Sequence, residues 1–132
     1  MIIYTPYGKG ENKRLDIFNN KKIILEIAKK AGDEFFIMKD LDIIYSWGIE
    51  RMERYLKRNE IFGAVALWPH KGNIKEYDEH VSNSFMMIRT EAIPEMVYNG
   101  KCFCQNFCDS IKKKGWRVKY VNGGIIHPNQ ND

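Results

Sequence analysis

Apolar and polar positions follow two different periods along this chain, and the switches between them outline alternating helices and strands. Residues 2–5 read as a short strand closed by Pro6. A polar stretch follows, with Gly8 and Gly10 beside Lys9, Lys13 and Arg14. Over residues 16–30, Ile17, Phe18, Ile24, Leu25, Ile27 and Ala28 form an apolar stripe at helical spacing, and positions 19–22 are polar. Ala31-Gly32-Asp33 ends that helix and turns the chain.

The next run, residues 35–38, is continuously apolar and predicts a strand buried on both faces, as at the centre of a parallel sheet. It stops at Asp40 and Asp42, which would lie at its C-terminal end on one side of the strand. Open α/β sheets bind ligands at that edge. Two carboxylates facing one way repel unless a cation lies between them, so the pair suggests a divalent ion held by oxygen, Mg²⁺ or Mn²⁺.

A helix is expected over residues 48–59, with Ile49, Met52, Tyr55 and Leu56 inward and Glu50, Arg51, Glu53, Arg54, Lys57 and Arg58 outward. Residues 61–68 read as a second buried strand and 70–82 as a polar loop. Residues 84–89 form a third strand, and Thr90 serves as N-cap of a short helix. Residues 102–103 read as a short strand or loop. A helix over 106–114 ends in Lys112-Lys113-Lys114 and Gly115. A strand follows over 116–121, then a tail, 123–128, that ends in polar residues expected to fray.

Composition narrows the class. A chain of 132 residues with 44% hydrophobic positions forms one domain, residues 1–132, with a core. No apolar run approaches the roughly 18 residues that span a bilayer, and the N-terminus lacks the pattern of a signal peptide, so a cytoplasmic location without a membrane span is expected. The net charge of +4 suits an anionic ligand without demanding nucleic acid. Lys112 to Lys114, with the aromatics, are the feature on which nucleic-acid binding would rest, but the aromatics fall at core positions. Cys102, Cys104 and Cys108 match no standard zinc spacing and are expected as buried or partly buried thiols.

The order of these pieces resembles the GT-A nucleotide-diphospho-sugar transferases, particularly family-2-like inverting glycosyltransferases, across roughly residues 8–128. The resemblance rests on the strand ending Asp40-Leu41-Asp42, the strand containing Gly63 to Leu67, Phe85 to Arg89, Phe107-Cys108-Asp109 leading to Gly115-Trp116, and His127. It implies a three-layer α/β sandwich, a mostly parallel sheet with helices on both faces. It also implies a divalent metal, Mn²⁺ or Mg²⁺, and a nucleotide-diphospho-sugar donor whose sugar passes to a hydroxyl acceptor. On that reading Asp42 and His127 hold the metal, Asp40 contacts ribose or supports the ion, and Lys13 and Arg14 lie near the donor.

Two departures accompany the resemblance. Only residues 2–5 stand where the family carries one or two βα units for the nucleotide base, so base recognition is expected from elsewhere, such as a second copy in a homo-oligomer. An inverting transfer also needs a carboxylate to take the acceptor proton. The family's acidic motif falls here on Phe103, Cys104 and Asn106. Asp109, one turn later, is then the catalytic candidate, with Glu79 and His80 as others. The alternative is a catalytically inactive remnant of that fold, acting as a binding or assembly module.

Overall fold

The computed structural model describes residues 1–6, 14–68 and 80–126. Eleven segments follow in order. They are β1 (Ile3–Tyr4), α1 (Arg14–Ala31), β2 (Phe35–Lys39), β3 (Ile44–Trp47), α2 (Ile49–Arg58), β4 (Phe62–Leu67), β5 (Phe85–Arg89), a 3-10 turn (Thr90–Ala92), α3 (Phe103–Lys113), β6 (Arg117–Val121) and β7 (Gly124–Ile126).

Five strands make one sheet in the order β1-β2-β5-β4-β6. β1 runs parallel to β2 and β4 parallel to β6, whereas β5 runs antiparallel to both of its neighbours. The sheet is therefore mostly parallel with one reversed strand. The sequence expectation of a strand at 35–38 buried on both faces is met, but one of its neighbours is antiparallel. A strand covered on both sides is continuously apolar in either direction, so its pattern cannot report the direction of the next strand.

Alternation along the strands sorts the core into two clusters. Phe36, Met38, Ala64, Ala66, Met86 and Ile88 pack with Phe18, Leu25 and Ala28 of α1 and with Phe103, Phe107 and Ile111 of α3. Their neighbours Phe35, Ile37, Val65, Leu67, Phe85 and Met87 pack with Met52 and Leu56 of α2 and with Ile43. Successive strand residues point to opposite faces, so these are the two faces of one sheet. Each large side chain so buried contributes about 1.5–3 kcal/mol.

The helix ends follow from local chemistry. Gly32 and Gly115 take positive φ, 76° and 95°, where a Cβ would be strained, and so end α1 and α3. Lys114 extends past α3 to donate to the Ile93 carbonyl at 3.1 Å.

Three expectations need correction. α3 begins at Phe103, three residues before the expected start at Asn106, so Phe103 is helical, while Cys102 stays outside the helix at its N-cap. Arg89, not Thr90, is the N-cap of the short turn, with no side-chain cap. Finally, β3 and β7 form an antiparallel ribbon, Ile44 opposite Ile126 and Tyr45 opposite Ile125. Residues 124–126 of the tail thus form a strand, and another precedes α2, where no strand was expected; the polar end of the tail lies outside the described residues. Each partner is too short to declare itself in sequence, and their pairing is long-range.

Gly63 marks a close approach of β4 to α3, the 3-10 turn and the residue before β6. A Cβ there would stand 2.6 Å from Ile111 Cδ1, 2.9 Å from Ala92 Cβ and 3.0 Å from Trp116 Cβ. Gly63→Val is expected to destabilise the fold by about 1–3 kcal/mol through overpacking. A urea melt checks this, and an unchanged midpoint would contradict the close approach.

Candidate functional site

The acidic turn forms where β2 leaves the sheet. The β2–β5 ladder ends with Lys39 opposite Phe85. The Asp40 amide still donates to the Ser84 carbonyl at 2.9 Å, and its own carbonyl accepts from Ile43 N–H at 3.3 Å. Leu41 and Asp42 are then turn residues leading into β3. The two carboxylates therefore do not share one side of a strand, because the strand has ended before them. Their proximity comes from the turn.

The two carboxylates have different surroundings. Asp40 is half-buried, and its Oδ1 lies 3.1 Å from Nζ of Lys21. Lys21 is itself buried, 8% exposed, and its ammonium also lies 5.6 Å from the centre of the Phe103 ring. A desolvated ammonium needs such a partner, and Asp40 supplies it. Asp42 is exposed. The sequence places position 21 in the polar stretch of the first helix, yet the structure turns it inward onto the acidic turn. Periodicity was the available signal: Lys21 lies three residues after Phe18 and four before Leu25, on their face of the helix, whereas Lys22 does not.

The other candidates are dispersed. Arg14 donates from Nη1 to the Gly100 carbonyl at 3.0 Å, tying the start of α1 to the loop before α3. Asp109 accepts from Gln105 Nε2 at 2.9 Å and pairs with Lys101 Nζ at 3.7 Å. Among the described residues these partners differ from those of Asp40, which pairs with Lys21. Lys13, Glu79 and His127 lie outside the described residues. Within them, β7 ends at Ile126 opposite Ile44, two positions beyond Asp42.

The positions expected to carry an acidic motif are occupied otherwise. Phe103 is in the core and Asn106 is buried, its Nδ2 donating to the Val97 carbonyl at 2.9 Å. Cys104 lies 2.8 Å from His80 Nε2 and 3.2 Å from Cys102 Sγ. Burial, followed by the hydrogen bond and charge of Cys102, pushes the Cys104 thiol up to about 12. Burial likewise raises Cys108, whose sulfur accepts from Val81 N–H at 3.4 Å, to about 11. As expected from sequence, these are partly buried or buried thiols, and at neutral pH they are protonated and poor nucleophiles.

Both folded thiols ionise above the ordinary 9.0. Their contribution to stability is whole below about pH 9 and is lost as pH rises through the folded values. In reduced, metal-free protein, urea midpoints should fall between about pH 7 and pH 10. Cys104→Ser should make that fall smaller; an identical fall would count against the buried neutral thiol.

Sequence reasoning missed a basic groove of about 620 Å³ between α2 and β6, lined by Arg51, Arg54, Arg58 and Lys119 with Tyr55 and Asn122. The apolar pattern puts Arg51, Arg54 and Arg58 on the outer face of the second helix. The spacing of three from Arg51 to Arg54 and of four to Arg58 was the available signal, since it puts the guanidinium groups on one stripe. Lys119 lies 5.1 Å from the Tyr55 ring centre and joins β6 to that stripe.

Among the described residues no helix is long and apolar enough to cross a membrane. Neither a family model nor a curated protein sequence matches the chain. The fold is similar to that in the crystal structure of A197 from STIV, with a TM-score of 0.59 at 14% sequence identity. The match covers 85% of this chain and 65% of that one, so this chain spans less than two thirds of the neighbour's length. At that identity the likeness is one of fold.

Proposed function

We propose that the chain is a reduced GT-A-like, three-layer α/β/α domain of glycosyltransferase type. It binds a nucleotide-diphospho-sugar with a divalent metal at the Asp40–Asp42 turn and transfers the sugar to a hydroxyl acceptor. The observation that carries the reading is this turn, at the C-terminal end of β2, with one carboxylate neutralised and the other exposed. β4 and β6 run in the same direction as β2, so their C-terminal ends share its edge of the sheet, where α/β sheets take ligands.

The donor set fits a hard ion. Mg²⁺ and Mn²⁺ take oxygen ligands, and such ions use one or two carboxylates together with substrate phosphates. Asp42 would be the protein ligand, and His127, just past the end of β7, would join it. When bound, the ion neutralises charge on the leaving diphosphate. The chain's own residues do the rest. Lys21 holds the Asp40 carboxylate in place and removes its repulsion of Asp42. Asp40 then keeps its second oxygen for a ribose hydroxyl or the ion.

A second reading, a binding module without transfer, is favoured by the buried Phe103 and Asn106 where a base is needed, and by the engagement of Asp109 with Lys101 and Gln105. Thermal shift with Mn²⁺ and UDP-, GDP- or dTDP-sugars tests both. Stabilisation should need metal and nucleotide-sugar together, reaching about 2.7 kcal/mol at a hundredfold excess over Kd. Binding with release of nucleoside diphosphate supports transfer, and binding without release supports the module. No metal-dependent shift with any donor overturns both.

A further inference from the structure

His80, Cys102 and Cys104 form a second cluster with different chemistry. His80 stands shortly before β5, and the two cysteines occupy the N-cap and first turn of α3. One ring nitrogen and two sulfurs thereby lie within 4.8 Å of one another. We propose that these three side chains bind a thiolate-preferring cation, Zn²⁺ in the first instance, with one coordination position left for water or a small ligand.

Three features carry this. Donor type comes first: one imidazole and two sulfurs suit zinc and disfavour Mg²⁺ and Mn²⁺, which take oxygen. The site is thus chemically distinct from the acidic turn, although Lys21 lies over Phe103, between the two cysteines in sequence, and pairs with Asp40.

Geometry is the second feature. Zinc bonds of about 2.3 Å to sulfur and 2.0–2.1 Å to nitrogen, at tetrahedral angles, set edges of about 3.8 Å for S···S and 3.6 Å for N···S. The observed edges are 3.2 Å for Cys102–Cys104 and 2.8 Å for His80–Cys104. Openings of about 0.6 and 0.8 Å reach the zinc edges, and the His80–Cys102 edge lies within 4.8 Å. Three protein ligands with an open fourth position is a recognised zinc arrangement.

The third feature is charge. Two thiolates and one imidazole around Zn²⁺ sum to zero, which a half-buried position tolerates. Cys102 and Cys104 sit at the N-cap and first turn of α3, where positive helix-end charge complements bound sulfur anions. Binding would clamp the segment entering β5 to the start of α3, adding a long-range tie to the fold.

The proposal is independent of the glycosyltransferase reading, and its test uses no nucleotide. Reduced, metal-free full chain is titrated with Zn²⁺ against a chromophoric chelator, and with Co²⁺ as a spectroscopic probe. One equivalent of Zn²⁺ should bind, and Co²⁺ should give a thiolate-to-cobalt charge-transfer band with tetrahedral d–d absorption. His80→Ala, Cys102→Ser and Cys104→Ser should each weaken Zn²⁺ binding by more than the roughly 10- to 100-fold that loss of an outer-shell partner costs. Cys108→Ser, whose sulfur engages Val81, should bind as the parent does. Circular dichroism of each variant separates ligand loss from misfolding. Absence of stoichiometric binding overturns the proposal, as does unchanged affinity in folded Cys102→Ser/Cys104→Ser. So does a Cys102–Cys104 disulfide whose reduction restores no Zn²⁺ binding.

Discussion

Asp42→Ala is expected to remove Mn²⁺-dependent binding of nucleotide-sugars while leaving the melting temperature of the free protein nearly unchanged. The two halves of that result have separate causes. Asp42 is exposed in the turn between β2 and β3, where substitutions ordinarily change stability by no more than about 0.5 kcal/mol. The same carboxylate is the exposed acidic group of the turn, so its loss removes a charge that would hold the ion. Calorimetry with Mn²⁺ and the donor that shifts the parent protein reads the effect, and affinity should fall at least about a hundredfold, or about 2.7 kcal/mol. Lys21→Met is the informative companion. It leaves Asp40 half-buried without its cation and should weaken binding through Asp40 while also lowering stability. If Asp42→Ala binds as well as the parent, the acidic turn is not the donor site.

Arg89→Leu is expected to have the largest effect on folding. Arg89 ends β5 and is 6% exposed. Its Nε donates to the Phe62 carbonyl at 3.1 Å, and its Nη2 donates to the carbonyl of Leu56 in the last turn of α2. The guanidinium lies 5.2 Å from the Phe35 ring centre and 5.8 Å from that of Trp116. It therefore joins a helix C-terminus, a strand start and two aromatic side chains. The α2 end is where a cation complements the helix dipole. Leucine leaves both carbonyls without this donor, at about 1–3 kcal/mol each. Lost ring contacts add about 0.5–2 kcal/mol, partly offset by no longer desolvating a charge. A net loss of about 3–5 kcal/mol is expected, a large fraction of the stability of a small domain. Urea denaturation checks it, and a change below about 1 kcal/mol would mean that water replaces the guanidinium at both carbonyls.

Much of the architecture was legible because it depends on local pattern. The stripe including Phe18, Leu25 and Ala28 specifies one face of a helix whatever it packs on. The unbroken run Phe35 to Met38 specifies burial on two sides. Gly32 and Gly115 stop their helices for a reason contained in a single residue. Misreadings fell where a neighbour distant in sequence decides. Ile44 and Ile126 become strand partners only because the sheet brings their segments together. Cys102 became a helix cap because Phe103, read as the end of a strand or loop, is drawn into the core beside Phe18.

The candidate sites divide in the same way. The sequence alone determined that two carboxylates follow a buried strand, that thiols cluster in one short segment, and that positive charge is spread along an otherwise ordinary surface. Only the tertiary structure decided which of those groups stand together. It turned Lys21 inward onto Asp40, brought His80 to Cys104, and left Asp109 with Lys101. The reason is that residue type and periodicity specify which face a side chain belongs to. The charge or metal ligand opposite it comes from another segment, and is set by how the helices seat on the sheet.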